Sequence, residues 1–317
     1  MNTSIGARLQ HVVAELSIQN LQRKAEKRLA DQLQAVRPAS FPFISADTFR
    51  SIADLIIEGE KVVLRQPRSL VKIIYFDISF LSGQGGSFAT SPSLALLRSV
   101  TREQSSKPVL ILHNGDIPPE TSVLRELGKI SAHVFASNLV ESLPNVTALP
   151  VGLENAYRNV NGNLHDFLTE LDHLDSSPRE TMIFSSFNVG NNANIRAPLA
   201  ELLRSTEFGW SDARLSPAEY RNRVRAAKFV ISPPGNGVDC HRTWEAIYLG
   251  AVPVVLRGAL SESLTYGTPI YSTESFEDFV RTPHAELDKI FREWRSRAAD
   301  RCYMPFWVDE IRAHTHG

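Results

Sequence analysis

Short runs of apolar residues alternate along this chain with stretches in which apolar positions return every third or fourth residue. That alternation predicts buried strands separated by amphipathic helices. Lys72–Phe76, Pro108–His113, His133–Ala136 and Val146–Val151 read as strands, with helices at Ser93–Glu103 and Glu120–Lys129 between them. Ser45–Glu58 reads as a helix with Ser45 as its N-cap. The polar stretch Asn159–Glu180, punctuated by Gly, Ser and Pro, interrupts the rhythm. It restarts with a strand at Met182–Phe187 and a helix at Ile195–Ser205. Next come a helix at Ser216–Ala227, capped by Ser216 with Pro217 at its first position, and a strand at Lys228–Ser232. A helix at Asp239–Gly250, a strand at Val252–Leu256, and helices at Phe276–Arg281 and Glu286–Arg297 complete the pattern.

Two successive βα blocks predict an α/β protein with two Rossmann-like domains facing a cleft. Ahead of them, Leu9, Val12, Leu16, Leu21, Ala25, Leu29, Leu33 and Val36 share one helical face, predicting an amphipathic arm over residues 5–36. Its other face is modestly basic but also carries Glu15, Glu26 and Asp31. Packing on its own body or on a second copy (a homo-oligomer) is the first reading of this arm; peripheral contact with an anionic membrane is the alternative. The expected layout is an N-terminal helical arm at 1–40, a first domain at 41–158, a linker at 159–180, a second domain at 181–284 and closing helices at 285–317.

Composition narrows the function classes. The 317 residues exceed the roughly 100–200 of one typical domain. A 43% hydrophobic and 22% charged chain is an ordinary globule. Its 34 basic and 35 acidic side chains leave a net charge of −1, so no global field attracts nucleic acid. Cys240 and Cys302 have no metal-site spacing and read as free thiols in a reducing compartment. The N-terminus lacks the apolar core of a signal peptide, and Tyr248–Leu256 is far short of the ~20 residues that span a bilayer. A cytoplasmic protein is expected, peripheral at the inner membrane face if the arm binds lipid.

The chemistry concentrates in FVISPPGNGVDCHRTWEAIYLGAVPVVL, residues 229–256. A strand exits through Pro233-Pro234 into Gly235-Asn236-Gly237, and a helix follows. Its N-terminus can receive a phosphate. His241, Arg242 and Glu245 lie within about one turn of each other. An Arg there can pair with a diphosphate, and a Glu one turn deeper can accept two ribose hydroxyls. An ordinary surface pair remains open at this point, because Cys240 stands where a dinucleotide fingerprint needs a third glycine.

The run HRTWEAIYLGAVPVV resembles the signature of exostosin-like glycosyltransferases, in which R-x-x-E/D-A on a helix precedes G-x-x-P-V-V. The matching positions are Arg242, Glu245, Ala246, Gly250, Pro253, Val254 and Val255, preceded by SPPGNGVDCHR. LPVGLENAYRN (149–159) and FSSFNVGNNANIR (184–196) extend the resemblance more weakly, from about Leu149 to Val280. The resemblance implies a GT-B-like fold, with a nucleotide-sugar on the C-terminal domain and the acceptor on the N-terminal one. It also implies that Arg242 meets the donor's diphosphate and Glu245 its ribose.

Further donor contacts are expected from Asn188 and Arg196 after the second domain's first strand, from the loop Pro234, Gly235, Asn236 and Gly237, and from His241. Tyr266–Tyr271 is a place where a nucleobase can pack. The chain has no Asp-x-Asp pair, no Walker loop and no nucleophile elbow. The expected enzyme is metal-independent, with no cofactor beyond the nucleotide-sugar itself. An inverting transfer needs a base at a strand end of the first domain. Asp116 is the first candidate, with His113 and Asp77 behind it; each has an ordinary reading as a turn or strand-end residue. The function expected is transfer of a sugar from a nucleotide-sugar to a glycan or glycolipid in cell-surface polysaccharide assembly. A sugar-nucleotide epimerase or hydrolase and a non-catalytic nucleotide- or glycan-binding protein are the alternatives.

Overall fold

The structure is a computed structural model that describes residues 37–80, 91–117, 119–158, 164–171, 178–210 and 215–316. The predicted arm over residues 5–36 lies outside them. In the first half, β1 (Leu55–Glu58), β2 (Lys61–Leu64), β3 (Ile73–Asp77), β4 (Val109–His113), β5 (His133–Ser137) and β6 (Val146–Leu149) form one sheet ordered β2-β1-β3-β4-β5-β6. Only the β1–β2 hairpin is antiparallel. Every residue of β3, β4 and β5 is buried, as strands covered on both faces require.

Ser45 does cap a helix, its Oγ accepting the Thr48 N–H, but α1 runs only from Ala46 to Ser51. The remainder of the predicted helix is β1 instead. Leu55-Ile56-Ile57 is a branched run that gains more by pairing beside β3, where Ile56 and Ile57 are fully buried. Between strands lie α2 (Pro92–Arg102) and α3 (Thr121–Ile130), which touch each other. Strands β3, β4 and β5 are adjacent in sequential order, and the contact between the two helices places them on one face of the sheet. The same core is completed from the far end of the chain. Met304, Trp307 and Ile311 of α11 (Met304–Ala313) are buried within it.

The second sheet is fully parallel, ordered β10-β9-β8-β7: β7 is Thr181–Phe184, β8 Ala227–Ile231, β9 Val252–Leu256 and β10 Tyr271–Thr273. The helices are α5 (Ala193–Arg204), α6 (Pro217–Ala226), α7 (His241–Tyr248), α8 (Glu262–Thr265), α9 (Phe276–Val280) and α10 (His284–Arg295). At α6, Ser216 and Glu219 form a reciprocal capping box behind Pro217. The stretch read as a linker contains α4 (Leu164–Leu171). Phe167 of α4 is buried in the second core, and Asp166 pairs with Arg221 of α6, so these residues belong to the folded body.

The two halves share contacts. Leu264 of α8 enters the first core, and the Tyr248 hydroxyl accepts the Ile44 N–H at 3.3 Å and donates to the Cys302 carbonyl at 2.8 Å. Both cysteines are free. Among the described residues, no helix is long and apolar enough to cross a membrane.

Candidate active site

Loops that follow the carboxyl ends of strands in both sheets line one cleft of about 1450 Å³. Ser79, Asn114 and Asp116 follow β3 and β4; Asn188 and Asn191 follow β7; Gly235 to Arg242 follow β8. Open α/β sheets bind their ligands at this end, because helix N-termini and loop amides converge there.

The Gly-rich loop is held by Arg196 of α5. Its Nε donates to the Pro234 carbonyl at 2.8 Å, Nη2 to Pro233 at 3.1 Å and Nη1 to Asn188 at 2.8 Å. The side chain is only 3% exposed, so these bonds answer carbonyls that water cannot reach. Burial and the nearby Arg242 both depress its pKa. The loop also needs glycine for close approach. A Cβ on Gly237 would lie 2.7 Å from Asn138 Oδ1 and 3.0 Å from the Asp116 carbonyl, both on the opposite wall.

Three bonds tie the walls together. Asp239 Oδ2 accepts the Val151 N–H at 2.8 Å, Asn138 Oδ1 accepts the Asp239 N–H at 2.9 Å, and His241 Nδ1 meets the Gly152 carbonyl at 2.8 Å. Gly152 has φ +67°, and a Cβ there would sit 2.1 Å from the Ile44 carbonyl. Asp239 also accepts Trp244 Nε1–H, and burial raises its pKa to about 6. Truncating it leaves two buried donors unpaired. Asp239→Ala is expected to lose about 2 kcal/mol in urea unfolding, and an unchanged midpoint would mean that the wall contact contributes little.

At the start of α7, Arg242 Nε and Nη1 are buried and have no hydrogen-bond partner. The Glu245 carboxylate is 3% exposed. Burial raises its pKa, opposed by the charges of His241 and Arg242 and by Tyr220, and reinforced by Glu154. The Tyr220 hydroxyl faces both Glu245 and Arg242 without a close hydrogen bond to either. Further along the cleft, Phe187 and Trp210 pair with ring centroids 5.7 Å apart, and the Arg204 guanidinium lies 4.6 Å from the Trp210 centroid.

No protein-family model matches this chain, and a search of curated proteins finds no match. Among solved structures, the N-terminal domain of trehalose-6-phosphate phosphatase from Candida albicans is similar over 85% of this chain and 72% of its own. The identity is 10% and the TM-score 0.39, too distant to carry an argument about function. The site therefore rests on its own residues.

Of the predicted donor residues, Asn188, Arg196, Gly235, Asn236, Gly237, His241, Arg242 and Glu245 all line the cleft. Pro234 does not; it is buried and supplies the carbonyl that Arg196 binds. Arg196 acts chiefly as the clamp of the loop, since its donors are spent on backbone. Asn188 caps a local turn by accepting the Gly190 N–H.

Two of the three candidate bases are engaged within the fold and are not available as bases. Asp77 is 1% exposed and does not line the cleft. It accepts from Ser79 and Asn114 and lies beside Arg37, in a buried cluster with Asp47 and Glu58. His113 reaches the cleft wall, but Nδ1 accepts the Asn114 N–H at 2.7 Å and Nε2 faces the Pro150 carbonyl at 3.0 Å. Neither ring nitrogen is left for a substrate. Burial lowers its pKa to about 4, so it is a neutral structural histidine. Asp116 is exposed in the cleft.

Tyr266 is 82% exposed and outside the cleft; the half-buried aromatic residues that line it are Trp210 and Tyr220. Neither is marked by the sequence, because aromatic residues read as core there, as Phe187 indeed is. Among the described residues, no group of three or more His, Cys, Asp or Glu is arranged to hold a metal ion.

Proposed function

We propose that this cleft binds a nucleotide-sugar and transfers its sugar to a hydroxyl of a glycan or glycolipid, as a GT-B-like enzyme similar to the exostosin-like glycosyltransferases. The observation that carries the reading is the Arg242 guanidinium at the N-terminus of α7, whose buried Nε and Nη1 have no hydrogen-bond partner and which lies beside Arg196 on the cleft that Gly235, Asn236 and Gly237 also line. A helix N-terminus, loop amides and the Arg242 guanidinium, with only the charge of the backbone-bound Arg196 beside it, make a local anion site in a chain of net charge −1. Such a site stabilises a leaving diphosphate by hydrogen bonds and fixed charge. Glu245, one turn deeper, suits a ribose diol, because a buried carboxylate gains from two hydroxyl donors. Trp210, half-buried on the cleft, offers an aromatic face for a base. At about 1450 Å³, the cleft exceeds the roughly 300–1,000 Å³ of one small-ligand pocket, leaving the wall with Asp116 and Glu154 for an acceptor.

The reading is tested by thermal shift and calorimetry with nucleosides, nucleoside monophosphates and nucleoside diphosphates. A diphosphate at 100 times its Kd should stabilise the fold by about 2.7 kcal/mol. Arg242→Ala should weaken diphosphate binding by about 30-fold, the worth of one charge-assisted contact, and leave nucleoside binding unchanged. Equal weakening of both ligands, or no stabilisation by any diphosphate, is the result that sinks it.

A further inference from the structure

The two histidines of the cleft differ in what their rings can offer. Both nitrogens of His113 are engaged by backbone. His241 is exposed on the cleft surface and makes one bond, from Nδ1 to the Gly152 carbonyl at 2.8 Å. A carbonyl only accepts, so Nδ1 must carry the hydrogen. In the neutral ring the lone pair is then on Nε2. That nitrogen has no partner among the described residues. A neutral ring in this tautomer is a poor diphosphate ligand, because Nε2 presents a lone pair to the anion. It is well suited to accept a proton. The bond to Gly152 also anchors the ring between the two walls, since Gly152 belongs to the other one. The titratable and charged groups around it are Arg242 and Glu245 on its own helix, Asp239 on the preceding loop and His113 opposite.

We propose that His241 is the general base of the transfer, with Gly152 as the backbone group that sets its tautomer. This rests on the glycosyltransferase reading above. The acceptor hydroxyl loses its proton to Nε2 as its oxygen bonds to the anomeric carbon. The bond from that carbon to the diphosphate oxygen breaks, and its electron pair leaves with the diphosphate. The imidazolium then returns its proton to solvent. The displacement inverts the anomeric carbon.

His241→Asn and His241→Gln separate this role from a structural one. The Asn amide nitrogen falls near the position of Nδ1 and can keep the Gly152 bond while removing Nε2. Calorimetry with UDP and GDP should give Kd values for His241→Asn within about threefold of the unsubstituted protein. Nucleoside diphosphate release from a panel of UDP- and GDP-hexoses should fall at least about 100-fold and lose its acid limb in the pH–rate profile. Gln lacks an Nδ1-like donor and should lose the Gly152 tether as well. Histidine ¹⁵N spectra supply a readout independent of turnover: one ring signal, absent in His241→Asn, should show the Nδ1–H tautomer at pH 8. An Nε2–H tautomer, turnover in His241→Asn within threefold of the unsubstituted protein, or parallel loss of binding and turnover overturns the assignment. If the unsubstituted protein binds no nucleoside diphosphate, the glycosyltransferase reading fails first and takes this one with it. Binding and turnover that both survive in His241→Asn fault the base alone.

Discussion

Arg196→Ala is expected to lower folding stability by about 3–5 kcal/mol and to remove nucleoside diphosphate binding altogether. The guanidinium bonds the carbonyls of Asn188, Pro233 and Pro234 from a side chain that is 3% exposed. Each buried acceptor left without a donor costs about 1–3 kcal/mol, and partial collapse of the loops recovers some of the sum. Both proline carbonyls follow β8 and are met by side chains, Arg196 at each and the Cys240 thiol at Pro233 at 3.5 Å. Arg196→Lys is expected to rescue little, because one ammonium cannot reach three carbonyls on two loops. Urea unfolding checks the first claim. A loss below about 1 kcal/mol would show that the loop holds its shape without the clamp.

Acidification from pH 6.5 to pH 4 is expected to cost roughly 3 kcal/mol through His113 alone. Its pKa is about 4 in the folded protein, against an ordinary 6.5, because burial disfavours the imidazolium. Between those values the unfolded chain binds the proton and the folded chain does not. Stability therefore rises with pH across that window and is lost as pH falls through it. His133 is lowered to about 4 as well and contributes in the same direction, whereas Asp239, raised to about 6, opposes both. The comparison that isolates His113 is with His113→Gln, whose amide can still donate to the Pro150 carbonyl. The unsubstituted protein should lose about 3 kcal/mol more than this variant between pH 7 and pH 4. Parallel stability curves would show that His113 titrates normally.

How much was legible beforehand depended on the range of the interaction. Ser216-Pro217 with Glu219 announces the start of α6 within four residues, and the capping box forms there. β3, β4 and β9 are apolar runs whose burial needs no knowledge of the partner. Leu55–Glu58 reads as helix because Ser45 begins one and nothing local ends it; the strand exists because β3 pairs with it. Leu164–Leu171 reads as linker for a similar reason, as Phe167 becomes a core residue only when α7 packs beside it.

The candidate site divides in the same way. The segment from Gly235 to Glu245 concentrates glycine, arginine and glutamate at a strand-to-helix turn, and the chain places nearly all of it on one cleft. Residue type and spacing suffice for that, since helix N-termini and glycine loops behave alike wherever they occur. The sequence alone likewise determined the alternating α/β plan and its central buried strands, but not β1, β2, β10 or α4. Tertiary structure decided what each polar side chain is free to do. Asp77 and His113 look like bases at strand ends until their oxygens and nitrogens are found engaged by Ser79, Asn114 and Pro150. Arg196 looks like a phosphate ligand until three carbonyls claim it. Such bonds join residues far apart in the chain, and a hydrogen bond's geometry leaves no trace in composition or periodicity. His241 keeps an unclaimed nitrogen because Gly152, from the other half of the chain, takes the first.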